Sequence, residues 1–530
     1  MYIRELKNQV TLDYGVAEVE TEKGWLRGVL SDGTYVFRGI QYAKAKRFHM
    51  PEPVEPWEGV KEAIVYGYAC PEIKTVMPHD NYTVPHYFSP QYEQCQYLNV
   101  WTGSLDSGAK KPVMVWLHGG GFSTGSGVEH FAYDGENMSK FGDVVVVTIN
   151  HRLNILGYLD LSAYGEEYKY SGNAGMADIV AALQWIHDNI AAFGGDPENV
   201  TLFGQSGGGG KVAALLQIPA ADGLFQKAVI QSGVMKNSSE TPQADERKRA
   251  AVLLDKLGIS PENVHEIETV SYDALAHAVL ELGPGMDMRW GPVADGDYYA
   301  GSIFTKGPRE HAKKVPVIVG SVFGEFTTNF NYELDDGRKN QWPEEKREDI
   351  VRSVMGNDAD EMIKLFKESY PDKNIVDVLF MDALFRRGAL DYAAARAEAG
   401  CTDTYNYLYA LESPVYGGTL PWHNAEIPYV FHNAQYLEPS YEQGVTEKLQ
   451  DIVCGAWTSF ARTGSPVIPE LSKWEKFTKD AHNTMIFDRE LRYTNGHDEE
   501  LVNHLAMVQR KMKSKDRGAG VIKIGGGPKA

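Results

Sequence analysis

The chain has 530 residues, of which 43% are hydrophobic, and it carries a formal net charge of −20 at pH 7. This composition is typical of a globular protein with a large core, and the negative charge argues against nucleic acid or anionic membranes as partners. No segment is apolar for long enough to predict a membrane span, and the charged N-terminal residues do not resemble a secretion signal. We therefore expect a cytoplasmic protein with no nucleic-acid or membrane partner.

The four cysteines, Cys70, Cys95, Cys401 and Cys454, show no Cys-x-x-Cys spacing. That spacing is the usual sign of a zinc or redox site, so the sequence predicts no metal and no cofactor. A disulfide between two of them is compatible with the sequence, but a chain with so large a core does not need one.

Short strand-like runs open the chain and predict an antiparallel meander. They lie at Val16–Glu20, Gly24–Val29 and Tyr35–Ile40. Farther on, two unbroken apolar runs, Pro112–His118 and Val144–Ile149, have the composition of central strands that are covered on both faces. The pattern thus changes from paired strands to a buried sheet.

Helical and strand patterns then alternate. A helix with one apolar stripe is predicted from Met176 to Phe193. The later elements are a closing helix at Leu501–Met512 and strands at Lys227–Gln231, Val315–Val319, Thr404–Tyr409 and Thr484–Phe487. This alternation predicts an α/β fold, with a doubly wound, mostly parallel central sheet and helices on both faces.

Two helix-rich stretches, at about residues 242–282 and 343–399, interrupt the alternation. No linker-like segment separates them from the rest, so we expect helical insertions around the active edge of the sheet rather than separate domains. The sequence therefore predicts one domain over residues 1–515. Residues 516–530, which are rich in glycine, are predicted to form a flexible tail.

A glycine-flanked serine lies near the centre of the chain, in the stretch Gly204-Gln205-Ser206-Gly207-Gly208. It follows an apolar run and precedes a helix-forming segment, which is the strand–turn–helix pattern of a nucleophile elbow. Glycine tolerates the backbone dihedrals that so sharp a turn imposes. The alternative is a glycine-rich turn whose serine only caps the following helix.

A second glycine motif favours the catalytic interpretation of Ser206. A serine nucleophile needs a base to take its proton and donors to hold the negative charge that forms on the substrate carbonyl oxygen. The stretch His118-Gly119-Gly120-Gly121-Phe122 follows an apolar strand and matches an oxyanion loop. We expect the backbone N–H groups of Gly120, Gly121 and Gly207 to form the oxyanion hole.

The acid and the base of such a site follow the serine in that order along the chain. Glu325 directly follows the strand predicted at Val315–Val319, where a carboxylate can stabilise an imidazolium. Asp295 is the alternative acid, although Asp-Gly is a strong turn signal. His423 lies in a glycine- and proline-containing loop after a strand, and His432 is its rival. Order and context favour Glu325 and His423.

Several motifs in consistent order resemble those of the type-B carboxylesterases, the family that includes the cholinesterases and the bacterial para-nitrobenzyl esterases. The likeness runs from about Val16 to Pro466 and includes the elbow and the oxyanion loop. The other matching segments are Phe37–Ala43, Glu93–Trp101, Asn150–Leu153, Phe193–Thr201, Gln231–Gly233 and His423–Glu426.

This resemblance implies the α/β-hydrolase fold and a serine carboxylesterase that works through an acyl-enzyme. The implied triad is Ser206, Glu325 and His423, and Ser232 is implied to support the acid. A small-molecule ester is the implied substrate. Hydrolysis of amides, carbamates or lactones with the same triad is the alternative, and a non-catalytic, cholinesterase-like binding protein is a further one.

Three structural pairs of the family also fall on this chain. They are Arg47 with Glu93, Arg152 with Asp196, and a disulfide of secreted members at Cys70 and Cys95. In a cytoplasmic protein we expect the two thiols to be reduced.

The departures from the family concern the pocket. Gln205 stands where the family has a glutamate that helps cholinesterases hold a cation, so we expect neutral rather than choline-type esters. Gly207 and Gly208 replace the usual Ala-Gly, which predicts a wider pocket floor. We assign Gln205 and Phe122 to substrate binding.

Overall fold

The computed structural model describes residues 12–73, 86–236, 241–286, 289–326, 338–414 and 418–515, so the tail predicted at 516–530 lies outside the described residues. The strands are β1 (Leu12–Thr21), β2 (Gly24–Ser31), β3 (Thr34–Gln41), β4 (Ala43–Lys44), β5 (Glu52–Pro53), β6 (Val60–Glu62), β7 (Tyr97–Thr102), β8 (Lys111–Leu117), β9 (Val145–Ile149), β10 (Gly195–Gln205), β11 (Lys227–Gln231), β12 (Thr241–Pro242), β13 (Val293–Ala294), β14 (Val317–Val322), β15 (Thr404–Tyr409), β16 (Asn483–Phe487) and β17 (Arg492–Asn495). The α-helices are α1 (Glu136–Gly142), α2 (Asn154–Tyr158), α3 (Ala174–Asn189), α4 (Gly207–Leu215), α5 (Gln243–Lys256), α6 (Tyr272–Leu280), α7 (Ile303–Lys306), α8 (Glu344–Met355), α9 (Ala359–Ser369), α10 (Phe385–Glu398), α11 (Ile427–Val430), α12 (Thr446–Thr463) and α13 (Glu499–Lys515).

Thirteen of the described strands form one sheet, in the order β1-β2-β3-β7-β9-β8-β10-β11-β14-β15-β16-β17, with β6 paired to β2. From β9 to β16 every neighbouring pair in this order is parallel. Strands β1, β2, β3 and β7 extend one side in antiparallel fashion, and β17 does so at the other. The mostly parallel sheet and the N-terminal meander are therefore confirmed.

Alternate residues of strand β8 point to opposite faces of the sheet and enter different apolar clusters. Val113, Val115 and Leu117 pack with residues of helix α3 on one face. Met114 and Trp116 pack with residues of helix α12 on the other. Because both faces are covered by helices, the central strands are apolar throughout, and the doubly wound architecture is confirmed.

Most predicted elements agree closely with the structure. The strands predicted at Lys227–Gln231 and Thr404–Tyr409 have those bounds as β11 and β15. The strand predicted from Val315 begins at Val317, because Pro316 has no backbone N–H to donate to a neighbouring strand. Helices α5 and α6 lie in the first predicted insertion, and α8, α9 and α10 lie in the second.

Candidate active site

Ser206 lies in a strained turn between strand β10 and helix α4. Its φ of 57° and ψ of −126° are unusual for a residue with a Cβ and cost about 1–3 kcal/mol. Its N–H donates to the carbonyl oxygen of Gln231 at 2.8 Å, and its own carbonyl oxygen accepts from the N–H of Gly210 at 3.0 Å. The turn is thus held by hydrogen bonds to β11 on one side and to α4 on the other.

Close backbone packing explains the glycines around Ser206. A Cβ atom on Gly208 would lie 1.9 Å from the carbonyl oxygen of Leu117, and one on Gly207 would lie 2.0 Å from that of Gly121. Because the backbone of Gly121 fills the space beside Gly207, the prediction that glycine there widens the pocket floor is wrong. The missing side chain instead allows the loop after β8 to approach the serine turn.

The three predicted oxyanion donors lie on two segments that contact each other. Gly120 and Gly121 have φ values of 80° and 65°, which glycine adopts readily. Gly207 is the first residue of helix α4, and the N–H groups of a helix's first turn have no acceptor within the helix. Gly121 and Gly207 therefore lie together beside Ser206, and the oxyanion role of the three N–H groups stays a prediction.

A buried lysine that no sequence motif indicated contacts the start of the glycine loop after strand β8. Lys211 of helix α4 donates from Nζ to the carbonyl oxygen of His118 at 2.9 Å, and burial lowers its pKa to about 7. The rings of His118 and His151 stack with their centroids 5.2 Å apart, and burial lowers the pKa of both well below the usual value. Both imidazoles are therefore neutral at pH 7.

Glu325 and His423 form a buried hydrogen-bonded pair. The Oε2 atom of Glu325 contacts Nδ1 of His423, while Oε1 accepts from Oγ of Ser232 at 2.6 Å and from the N–H of Val322 at 2.9 Å. The carboxylate is 1% exposed, so these donors replace the water it loses. The acid is thus fixed by the ends of two neighbouring strands, β11 and β14.

The rival acid and the rival base have other partners. Asp295 accepts backbone N–H groups from Asp297 and Tyr299, each at 3.0 Å, which is the turn role that the Asp-Gly sequence indicates. His432 contacts Asp451 at 2.7 Å and stacks on Phe141. The structure therefore brings Glu325 together with His423 and leaves the two rivals outside this pair.

Two buried glutamine side chains, at the ends of strands β10 and β11, bind the loop that carries His423. Gln205, 3% exposed, donates from Nε2 to the main-chain carbonyl oxygen of His423 at 2.6 Å. Gln231 donates from Nε2 to Oε1 of Glu426 at 3.1 Å. Burial, and then the charge of Glu325, raises the pKa of Glu426 to about 8. The sequence placed Glu426 in the matching segment His423–Glu426 but gave it no role, because its role depends on which side chains it meets in the fold.

A cavity of about 430 Å³ opens beside Ser206. Phe122 lines it together with Gly121 and Gly207, and its assignment to substrate binding stays a prediction. Gln205 is not among the lining residues, and its assignment to substrate binding stays a prediction. Residues of the first helical insertion and of the segment after it complete the wall, among them Arg249, Trp290 and Phe304, with Phe385 of helix α10.

One of the two predicted structural ion pairs is present. Arg47 donates from Nε to Oε2 of Glu93 at 2.5 Å. The pairing of Arg152 with Asp196 is wrong, because Arg152 forms a buried bidentate pair with Asp178 of helix α3, at 2.9 Å and 2.7 Å. Asp196 instead accepts from the backbone N–H of Glu198 at 3.0 Å.

Cys70 and Cys95 are both buried, free thiols that lie in contact. Burial, and then the neighbouring Cys70, raises the pKa of the Cys95 thiol well above its usual value. Among the described residues, no group of three or more His, Cys, Asp or Glu side chains is arranged to hold a metal ion. Within the same ranges, no helix is long and apolar enough to cross a membrane.

Comparison with known proteins agrees with this geometry. Residues 15–505 match the model of the carboxylesterase family. The chain is 32% identical to the para-nitrobenzyl esterase of Bacillus subtilis (strain 168) over 91% of this chain and 97% of the relative. It is 31% identical to the phenmedipham hydrolase of Pseudarthrobacter oxydans over 87% of this chain and 92% of the relative.

A solved structure is also similar over nearly the whole chain. It is an esterase from anaerobic Clostridium hathewayi that can hydrolyse aliphatic aromatic polyesters. The identity is 44% and the TM-score 0.89, and the match covers 94% of this chain and 100% of that one.

The sheet and these matches define the protein as a carboxylic ester hydrolase of the α/β-hydrolase fold. The chain belongs to the carboxylesterase family.

Proposed function

We propose that Ser206 is the nucleophile, His423 the general base and Glu325 the acid of a catalytic triad. The observation that carries this proposal is the buried hydrogen bond between Glu325 and His423, whose main chain is bound by Gln205, the residue directly before Ser206 in its strained turn. Glu325 orients the imidazole and stabilises the imidazolium that forms during turnover. Ser232 fixes Glu325 through its hydroxyl and acts as a positioning residue.

Hydrolysis then takes two half-reactions. In the first, His423 takes the proton of the Ser206 hydroxyl, Oγ bonds to the ester carbonyl carbon, and His423 returns the proton to the departing alcohol. In the second, His423 takes a proton from water, the resulting hydroxide attacks the acyl-enzyme, and Ser206 recovers its proton as the acid leaves. The N–H groups of Gly120, Gly121 and Gly207 hold the oxyanion in both.

We further propose that the substrate is a small ester without a cationic alcohol. The amide of Gln205 carries no charge to attract a choline group, and its Nε2 is used by the carbonyl oxygen of His423. The relatives' names suggest para-nitrobenzyl esters and aliphatic aromatic polyesters as the first compounds to assay.

Substitution of the nucleophile tests the proposal directly. Ser206→Ala should abolish hydrolysis of p-nitrophenyl acetate and labelling by a fluorophosphonate probe. Ser302→Ala, which removes another hydroxyl from the wall of the same cavity, should retain both activities and serves as the matched control. Hydrolysis by Ser206→Ala at the rate of the parent would show that the nucleophile is another group. A native protein that neither labels nor hydrolyses esters would indicate a binding protein.

A cytoplasmic location is also proposed, and the two contacting free thiols Cys70 and Cys95 support it. The protein is purified under conditions that prevent oxidation of its thiols and is then denatured. Thiol titration should find all four cysteines reduced. A titre lower by two thiols would indicate that the pair is oxidised in the cell.

A further inference from the structure

The cavity beside Ser206 combines apolar walls with two arginines. Its aromatic lining includes Phe122, Trp290 and Phe304, and the two charged lining residues among those described are Arg249 and Arg289. No carboxylate is among the described lining residues. A cationic cavity is unexpected in a chain with a net charge of −20, because most of its surface must carry the opposite sign.

Contacts connect the arginine segment with the oxyanion loop. A Cβ atom built on Gly291 would lie 3.8 Å from the ring of Phe122, so the segment Arg289–Gly291 reaches the residue that directly follows the oxyanion glycines. Trp290 lies between Gly291 and Arg289 in the chain, and the guanidinium of Arg249 lies over its ring at 5.0 Å. The two cationic groups therefore belong to the pocket of Ser206 and not to a remote surface.

Arg249 is held in place from three sides. Its side chain is 15% exposed, and Nη1 lies 2.8 Å from Oε1 of Glu246. Nη1 also donates to the carbonyl oxygen of Arg289 at 2.6 Å. Together with the stacking on Trp290, these contacts fix the plane of the guanidinium. A fixed guanidinium binds a carboxylate with little loss of conformational entropy.

The positive charge is only partly neutralised. Glu246 is the one described carboxylate in ion-pair contact with Arg249, and burial raises its pKa to about 7, which disfavours its ionised form. Arg289 is exposed and makes no ion pair with any described residue. Among the described residues, the two guanidinium groups thus have a single carboxylate, that of Glu246, in ion-pair contact.

We propose that this cavity selects esters that carry a free carboxylate away from the scissile bond, such as half-esters of dicarboxylic acids, with Arg289 and Arg249 as its ligands. The proposal rests on ester hydrolysis at Ser206 as proposed above. The free carboxylate takes no part in the reaction and stays ionised throughout. The bond between the acyl carbon and the alcohol oxygen breaks, and water contributes a hydroxyl group to the acyl carbon and a proton to the alcohol. The apolar walls hold the hydrocarbon between the two groups.

A matched pair of substrates tests this selectivity. We expect kcat/KM for monoethyl suberate to exceed that for diethyl suberate by about tenfold, as for one charge-assisted contact. The preference should decline when salt is raised, since salt screens partly exposed charges. A second pair, 6-acetoxyhexanoate and its methyl ester, places the carboxylate on the alcohol side of the scissile ester. If the suberate pair shows the preference, the arginines face the acyl side, and if the acetoxyhexanoate pair shows it, they face the alcohol side.

Variants of the arginines distinguish a loss of carboxylate recognition from a general loss of activity. Arg289→Gln should reduce kcat/KM for the preferred carboxylate ester about tenfold through KM, with the uncharged ester within about twofold. Arg249→Gln should act in the same direction. Lys248→Gln, on the same helix but 78% exposed and not a lining residue, should change neither substrate and is the control.

A ratio of charged to uncharged ester that is the same in the parent and in Arg289→Gln would overturn the proposal, as would a parent enzyme that prefers the diester and the methyl ester. Either result would leave the triad standing, because hydrolysis of the uncharged ester would still be lost in Ser206→Ala. If Ser206→Ala instead hydrolysed the uncharged ester as fast as the parent, the proposed function itself would be contradicted.

Discussion

The side-chain amide of Gln205 donates a hydrogen bond to the main-chain carbonyl oxygen of His423 at 2.6 Å. The residue before the proposed nucleophile thus holds the loop that carries the proposed base. A glutamate at this position would present an oxygen where Gln205 presents an N–H group. Its charge would also be buried, since Gln205 is 3% exposed. The amide therefore has a structural role in addition to its expected effect on substrate charge.

Gln205→Glu should reduce kcat about tenfold or more on uncharged esters, because a buried hydrogen bond to the histidine loop becomes a repulsion. If Gln205 also sets selectivity, the ratio of kcat/KM for butyrylcholine to that for its uncharged analogue 3,3-dimethylbutyl butyrate should rise. Gln217→Glu makes the same change at a buried amide that donates to Gly301 and Gly307, and should alter stability more than selectivity. An unchanged ratio in Gln205→Glu would contradict the selectivity role.

Ser232→Ala should lower kcat by about tenfold, because Glu325 loses a buried charge-assisted hydrogen bond that sets its position. The free energy of unfolding should fall by about 1–3 kcal/mol for the same reason. Ser321→Ala, in the adjacent strand β14, is the matched control, since Ser321 is fully buried and its hydroxyl has no protein hydrogen bond among the described residues. Equal kcat values for the two variants would argue against a positioning role for Ser232.

Gly207→Ala should lower kcat by about 10²-fold, in the range for loss of an oxyanion donor. The added Cβ would meet the carbonyl oxygen of Gly121 at 2.0 Å and push the loop away from Ser206. Gly210→Ala adds the same atom one helical turn later, where the nearest atom is 3.3 Å away, so it should retain most of the activity. Steady-state kinetics and thermal unfolding of both variants provide the measurement. Full activity in Gly207→Ala would contradict the predicted displacement of the loop from Ser206.

Glu426→Gln should change how stability depends on pH. Burial raises the pKa of Glu426 to about 8 from 4.5, so between these values the folded state binds more protons than the unfolded state. The contribution of Glu426 is therefore fully present below about pH 4.5 and is lost as pH rises through about 8.

Denaturant unfolding from pH 5 to 9 measures this effect in both proteins. The stability of the parent relative to Glu426→Gln should fall by about 4 kcal/mol across this range. The pKa of Asp382 is raised to about 7 in both proteins, so its contribution cancels in the difference. Parallel stability curves would contradict the buried, protonated state of Glu426.

The sequence predicted the elements of the site well where the signal is local. The elbow around Ser206 and the loop at Gly120 and Gly121 are contiguous motifs, and periodicity identified the strands that carry them. The acid and base also followed from chain order, although their pairing remained an expectation. Local patterns thus suffice where neighbours in sequence are also neighbours in space.

Contacts between distant segments were beyond the sequence. Lys211 follows the elbow on a helix and would usually be solvated, yet its side chain is buried against His118. The partner of Arg152 was carried over from a resemblance, whereas the structure has Asp178 of α3 in that position. Both outcomes depend on which face of a helix packs inward, and a motif does not contain that information.

The positive φ values of Ser206, Ser232 and Glu325 occur at the ends of three adjacent strands, β10, β11 and β14. The proposed nucleophile and acid are thereby anchored at the ends of sheet strands, whereas Arg249 lies in helix α5 of the first helical insertion and Arg289 follows that insertion. The proposed chemistry and the proposed selectivity therefore reside on different parts of the chain. Replacing that insertion and the segment after it with those of another carboxylesterase should therefore change which esters are hydrolysed while the proposed catalytic residues stay the same.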